Sequence, residues 1–160
     1  MSVHPGTTRP QKLIKNDGSI STEIGRSVRV GATNSAKLDK TLSNGTKFLT
    51  LTSFLSANAI RARDSMIDIW CTSNNSTPCA LRQITVPILI TAMGGHYFIT
   101  DNEIHHDVAA SQDKDFVVIE GAVHGQTPCE ACSKVTGQSY SNATKNLYDY
   151  ITKWANARFK

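Results

Sequence analysis

Val86 to His124 reads VPILITAMGGHYFITDNEIHHDVAASQDKDFVVIEGAVH, and the fold class follows from it. Val86-Pro87-Ile88-Leu89-Ile90 is an apolar run with the length and β-branched content of a buried strand. A glycine-rich loop follows, Ala92-Met93-Gly94-Gly95-His96, and then a helix-like segment from about Asn102 to Ser111. A second apolar run, Phe116-Val117-Val118-Ile119, ends in Glu120-Gly121-Ala122-Val123-His124. Two strands apolar on consecutive positions, joined through a helix, predict a βαβ unit in a parallel sheet covered on both faces. A right-handed crossover then sets the carboxyl ends of both strands on one edge. Open α/β sheets keep their ligands at that edge, and His96 and His124 lie just past the two strand ends.

Working outward toward the carboxyl terminus, Ser141 and Asn142 are both good N-caps for a last helix. On it Leu147, Tyr150, Ile151 and Trp154 share one face, with Lys145, Asp149 and Lys153 mostly off it, so the helix should pack on the sheet. On the other side, Leu81-Arg82-Gln83-Ile84 leads into the first strand, and Asn74-Asn75-Ser76-Thr77-Pro78 is a turn cluster. Between Thr46 and Met66 the residues Phe48, Leu49, Leu51, Phe54, Leu55, Ala59 and Ile60 recur at three- and four-residue spacings. That pattern predicts a helix with one buried stripe. Residues 1–44 are rich in Ser, Thr, Asn, Lys and Gly, and the expectation there is loop, partly disordered, with a short extended piece near Arg29 and Val30. Residues 45–160 then carry the α/β core.

A chain of 160 residues is one domain with a core of its own. The formal charge of +4 is dispersed, with no block of five like charges, so no nucleic-acid surface is implied; Arg61 and Arg63 read as a solvated face. No run of eighteen apolar residues occurs, which gives no membrane span, and MSVHPGTTRPQKLIKNDG has no apolar core for a signal peptide. Four cysteines fall in two close pairs, Cys71 with Cys79 and Cys129 with Cys132. With the sequons at Asn44, Asn75 and Asn142 they would suit an oxidising compartment, but localisation stays open.

His124 is the strongest chemical candidate. It follows an apolar strand through Gly121-Ala122, which lets the backbone turn sharply, and Gly125 follows it. An imidazole so placed can take a proton from a hydroxyl nucleophile and return it to a leaving group, provided a carboxylate holds its other nitrogen. VPILI…DKDFVVIEGAVHG and the closing KNLYDYITKWANARF resemble the last third of an esterase-like α/β-hydrolase, and RSVRV, FLSANAIRARDS and CTSNNSTP resemble the stretch upstream of it. The resemblance implies a partial α/β-hydrolase fold, with a small parallel sheet, flanking helices and a helical cap drawn from Thr46–Met66 and Asn74–Pro78. It implies His124 as general base, with Glu103 or Asp101 orienting it and Glu103 preferred. Each acid has a bland reading too, Glu103 as a first-turn carboxylate and Asp101 as an N-cap. Gly94-Gly95-His96-Tyr97 departs from the G-x-x-D loop common in that family, and His96, His105 and His106 receive no role.

The nucleophile is missing. No G-x-S-x-G occurs, and Gly137-Gln138-Ser139-Tyr140-Ser141 lacks both the final glycine and a preceding strand. The resemblance therefore implies that the family's first half is absent and that the isolated chain is not a competent hydrolase. The parent chemistry takes a small-molecule acyl substrate and needs no cofactor. Two other classes stay open. One is a non-catalytic fragment or partner-dependent subunit, whose uncovered sheet edge would favour self-association. The other is a zinc or redox module at Cys129-Glu130-Ala131-Cys132, with His124 nearby. Against it, Pro128 precedes the pair and a loop is expected after it.

Overall fold

The computed structural model describes residues 6–29, 77–96 and 98–159. Strands β1 (Gln11–Ile14), β2 (Ile20–Glu23), β3 (Ile88–Met93) and β4 (Lys114–Ile119) form one sheet in the order β2-β1-β4-β3. Helices α1 (Thr77–Leu81), α2 (Ile99–Val108), α3 (Glu130–Thr136) and α4 (Ala143–Asn156) accompany it, with a 3-10 turn at His124–Gln126. β3 and β4 are parallel with α2 between them, and β1 is parallel to β4 on its other side. Among the described residues only β2 runs antiparallel, paired to β1. The protein is an α/β fold with a mostly parallel, mixed sheet.

The sheet is covered on both faces at β4, which is why that strand is apolar on consecutive positions from Phe116 to Ile119. Along β4, Phe116 and Val118 turn to one face and join Leu13, Ala92 and Ile99 of α2. Val117 and Ile119 turn to the other, where Ile14, Ala143 and Leu147 of α4 enclose them. β4 has a strand on each side, so all four of these residues are at most 3 % exposed. Burying each contributes about 1.5–3 kcal/mol.

The expected βαβ unit is present with shifted ends. β3 begins at Ile88 rather than Val86 and continues through Met93, so Ala92 and Met93 belong to the strand. α2 begins at Ile99 rather than near Asn102, which puts Asp101 in its first turn; Phe98, with no side-chain cap, stands at the N-cap. α4 begins where expected, but Asn142 does not cap it through its side chain. Its amide instead donates to the Asn16 carbonyl, and its backbone N–H to Asn16 Oδ1, both at 3.0 Å. Thr77 and Pro78, read as part of a turn, open α1, where proline's fixed φ and missing N–H cost nothing in the first turn.

The larger correction lies near the amino terminus. Residues 11–23 form a β-hairpin where only a loop was expected. Its turn is Asn16-Asp17-Gly18, with Gly18 at φ +85° and Asp17 Oδ1 accepting from the Ser19 backbone N–H at 2.9 Å. β1 then inserts between β2 and β4, with Leu13 and Ile14 buried on opposite faces. The Thr46–Met66 helix, Arg61, Arg63, Val30 and Asn74–Ser76 lie outside the described residues.

Candidate functional site

The site is built by the loops leaving β3 and β4. Met93 pairs with Ile119 in register, so the two strands end side by side and their loops cross at once. Gly94 N–H donates to the Ile119 carbonyl at 2.8 Å and Gly95 N–H to the Ala122 carbonyl at 2.7 Å. A Cβ on Gly94 would stand 2.6 Å from the Ile119 oxygen, so only glycine permits this approach.

These crossings bring two histidines together. The ring centroid of His96 lies 6.0 Å from that of His124 and 5.2 Å from that of Phe98. His96 is only 7 % exposed, whereas the His124 side faces solvent. His96, to which the sequence assigned no role, is thus a buried imidazole beside His124 and not a solvated one. The signal that could have found it was its position, directly past a buried strand at the edge that also holds His124.

His124 stands on a tight excursion. Gly121 turns the chain at φ +65°, Val123 N–H donates to the Thr127 carbonyl at 2.8 Å, and Ala122 bridges to Pro128. Cys129 N–H closes the loop onto the Gly121 carbonyl at 2.8 Å. Gly125 and Gln126 both take left-handed conformations, at φ +79° and +60°. Gln126 is held there by its side-chain amide to Thr91 Oγ1 at 3.3 Å and by Thr144 Oγ1 donating to its carbonyl at 2.8 Å. The turn carrying His124 is thereby fastened to β3 on one side and to α4 on the other.

The two candidate acids separate. Glu103 is 1 % exposed and accepts from Thr8 N–H at 2.6 Å, Thr8 Oγ1 at 2.8 Å and Gln11 Nε2 at 2.8 Å. Burial alone would raise its pKa, but those hydrogen bonds and the Arg9 charge outweigh it and hold the carboxyl below the usual value. Both of its oxygens are committed to the segment entering β1. Asp101 lies in the first turn of α2. At the far end of α2, Asp107 pairs with Arg9, and His106 lies 3.4 Å from Asp107. Burial lowers the pKa of His105.

Cys129 and Cys132 are joined by a disulfide, and α3 follows where a loop was expected. Cys129 is the N-cap, with its Sγ accepting from Cys132 N–H at 3.1 Å. A groove of about 500 Å³ opens beside the pair, walled by Gly95, Val123, Pro128 and both cysteines. Bonded to each other, the two sulfurs offer no thiolate to a metal. Among the described residues no group of three or more His, Cys, Asp or Glu is arranged to hold one. Nor, among those residues, is any helix long and apolar enough to cross a membrane. The chain matches no family model, no curated protein and no solved structure.

Proposed function

We propose that this chain supplies the base-bearing part of a serine-type acyl hydrolase, with the nucleophile contributed from outside its 160 residues. The observation that supports this most is the convergence of two strand-end loops on His124, beside His96, at the carboxyl edge of a parallel sheet. In this reading His124 accepts the proton of an attacking serine hydroxyl and returns it to the leaving alkoxide of an ester or similar acyl substrate. His96 packs against the His124 ring and limits its rotation. Of the two carboxylates weighed for the orienting role, Glu103 is engaged by Thr8 and Gln11, and Asp101 stands in the first turn of the helix that follows the His96 loop. The chemistry calls for no cofactor. The hydrolase-like cap remains part of the proposal.

The test begins with the reading frame upstream of Met1. It should continue into a strand pattern ending in G-x-S-x-G, and the extended protein should hydrolyse p-nitrophenyl acetate and take a fluorophosphonate label on that serine. His124→Ala in the extended protein should lower kcat about 10²–10⁴-fold. An upstream frame without a nucleophile, retention of activity in His124→Ala, or labelling of a serine within the 160 residues would each defeat the reading.

A second reading, a partner-dependent subunit, is favoured by the state of β3. Among the described residues it is an edge strand. Its Ile88, Leu89 and Ile90 are only half buried, and Val86 beside it is 65 % exposed. Sedimentation of the 160-residue chain distinguishes the two, because a monomer at all accessible concentrations excludes self-association through that edge.

A further inference from the structure

We propose that the Cys129–Cys132 disulfide is a thiol-exchange site that keeps the His124 turn in place while oxidised. Three observations carry this. First, both cysteines are among the residues that wall the groove of about 500 Å³, which brings a small thiol up to the pair. Second, the bond closes a sequence separation of three residues, which restricts an unfolded chain far less than a long loop does. A staple for the whole fold would be placed elsewhere. Third, the pair sits at the base of the loop that presents His124. Cys129 N–H holds the Gly121 carbonyl at 2.8 Å, and a Cβ on Gly95 would stand 3.2 Å from Cys129 Cβ. Tyr140, Val123 and Val28 pack around the two cysteines.

Burial assigns the order of events. Both cysteines are buried, and Cys129, at 6 % exposed against 1 % for Cys132, is the one this proposal has an entering thiolate meet first. The thiolate of a small thiol attacks Cys129 Sγ, the Cys129–Cys132 bond breaks, and Cys132 leaves as a thiolate that takes a proton. A second thiol attacks the mixed disulfide, releases the oxidised small disulfide and frees Cys129 as a thiol. The pair has then gained two electrons and two protons, and the two small thiols have lost them. The freed cysteines no longer hold the end of the Gly121–Cys129 closure rigidly, so His124 loses its fixed position.

The meaning for catalysis rests on the hydrolase reading above, whereas the experiment reads the turn directly and is independent of it. The oxidised chain is treated with dithiothreitol under native conditions, then with iodoacetamide, and mapped by mass spectrometry. Amide exchange is followed in parallel. Expected are carbamidomethyl groups on Cys129 and Cys132 with unchanged far-UV circular dichroism, and exchange about tenfold faster at Val123, Gln126 and Cys129. Sulfurs that react only after urea unfolding, labelling without faster exchange, or collapse of the dichroism on reduction would each overturn the proposal. Single variants test the order: Cys129 in Cys132→Ser should form a glutathione mixed disulfide about tenfold faster than Cys132 in Cys129→Ser. Equal or inverted rates would overturn the assigned order and with it the groove as the path of entry.

Discussion

Gly121→Ala is the substitution that most directly tests how the His124 turn is built. Two separate costs meet at this residue. Its φ of +65° is left-handed, which costs an L-residue about 1–2 kcal/mol. The new Cβ would also stand 2.1 Å from Tyr140 Cγ, 2.3 Å from Cδ1 and 2.4 Å from Cβ. These atoms are the root of the side chain, so no swing of a flexible tip relieves the clash. Tyr140 is 1 % exposed, packs on Cys129 and Cys132, and donates its hydroxyl toward Thr136 or Gln138, so it cannot move cheaply. Overpacking of this kind costs about 1–3 kcal/mol, and the two terms together give about 2–5 kcal/mol.

Gly125→Ala separates the two terms. Gly125 has φ +79° but nothing within 4 Å of its would-be Cβ, so that variant should lose only the conformational part. Urea unfolding followed by circular dichroism is the assay. With a slope of about 1–3 kcal/mol per molar urea, the two midpoints should differ by about 1 M, Gly121→Ala being the lower. In a Tyr140→Ala background the extra cost of Gly121→Ala should vanish, because the two substitutions share one contact. Equal midpoints for the two glycine variants would refute the packing of Tyr140 against Gly121.

Glu103→Gln should destabilise by about 1.5–3 kcal/mol, since a charged acceptor of three hydrogen bonds becomes an amide with one donor end facing Thr8 or Gln11; urea midpoints and proteolysis near Thr8 would show it. Asp115 takes Lys12 Nζ and Tyr150 OH, each at 2.6 Å, and these bonds outweigh its burial, leaving its pKa below the usual value. Its contribution is therefore present above the unfolded carboxyl pKa of about 3.9 and is lost as pH falls through the lower folded value. Asp115→Asn should cost about 1–3 kcal/mol at pH 7 and flatten the acid limb of the stability profile, as thermal melts from pH 7 to pH 3 would record. His124→Ala, at an exposed side chain, should leave stability within about 0.5 kcal/mol, so that any loss of activity in the extended protein reports chemistry.

The βαβ unit was legible because burial on both faces forces apolar residues onto consecutive positions, and Phe116–Ile119 shows that pattern without interruption. The β1–β2 hairpin was not. Its strands are four residues each, and β2 is mostly exposed, so neither carries enough apolar pattern to register. The Asn-Asp-Gly turn at 16–18 was the available signal, but a turn signal becomes a hairpin only when flanking strands are recognised. The buried side of β1 depends on insertion beside β4, a contact between residues more than a hundred positions apart. Helix α3 was missed for a similar reason, since seven residues starting at Glu130 show too little periodicity to outweigh the proline before them.

For the site, sequence order supplied the place and not the company. That His124 would follow a buried strand through a glycine turn could be read directly, and the structure puts it there. Which groups surround it depends on the β3–β4 register: Met93 opposite Ile119 makes Gly94 and Gly95 cross the 119–122 backbone. A slip of one residue would turn every side chain of β3 to the other face and separate His96 from His124. The same register determines that Gly95 meets Cys129, so the disulfide becomes the wall of a groove beside the histidines. Glu103 shows the converse. Its place on α2 suited it equally to catalysis or to the fold, and its hydrogen-bond partners come from the distant Thr8–Gln11 segment that reaches across to bind it. A carboxylate on an edge helix is identified by what the rest of the chain brings to it, and in this protein that is the entrance to β1.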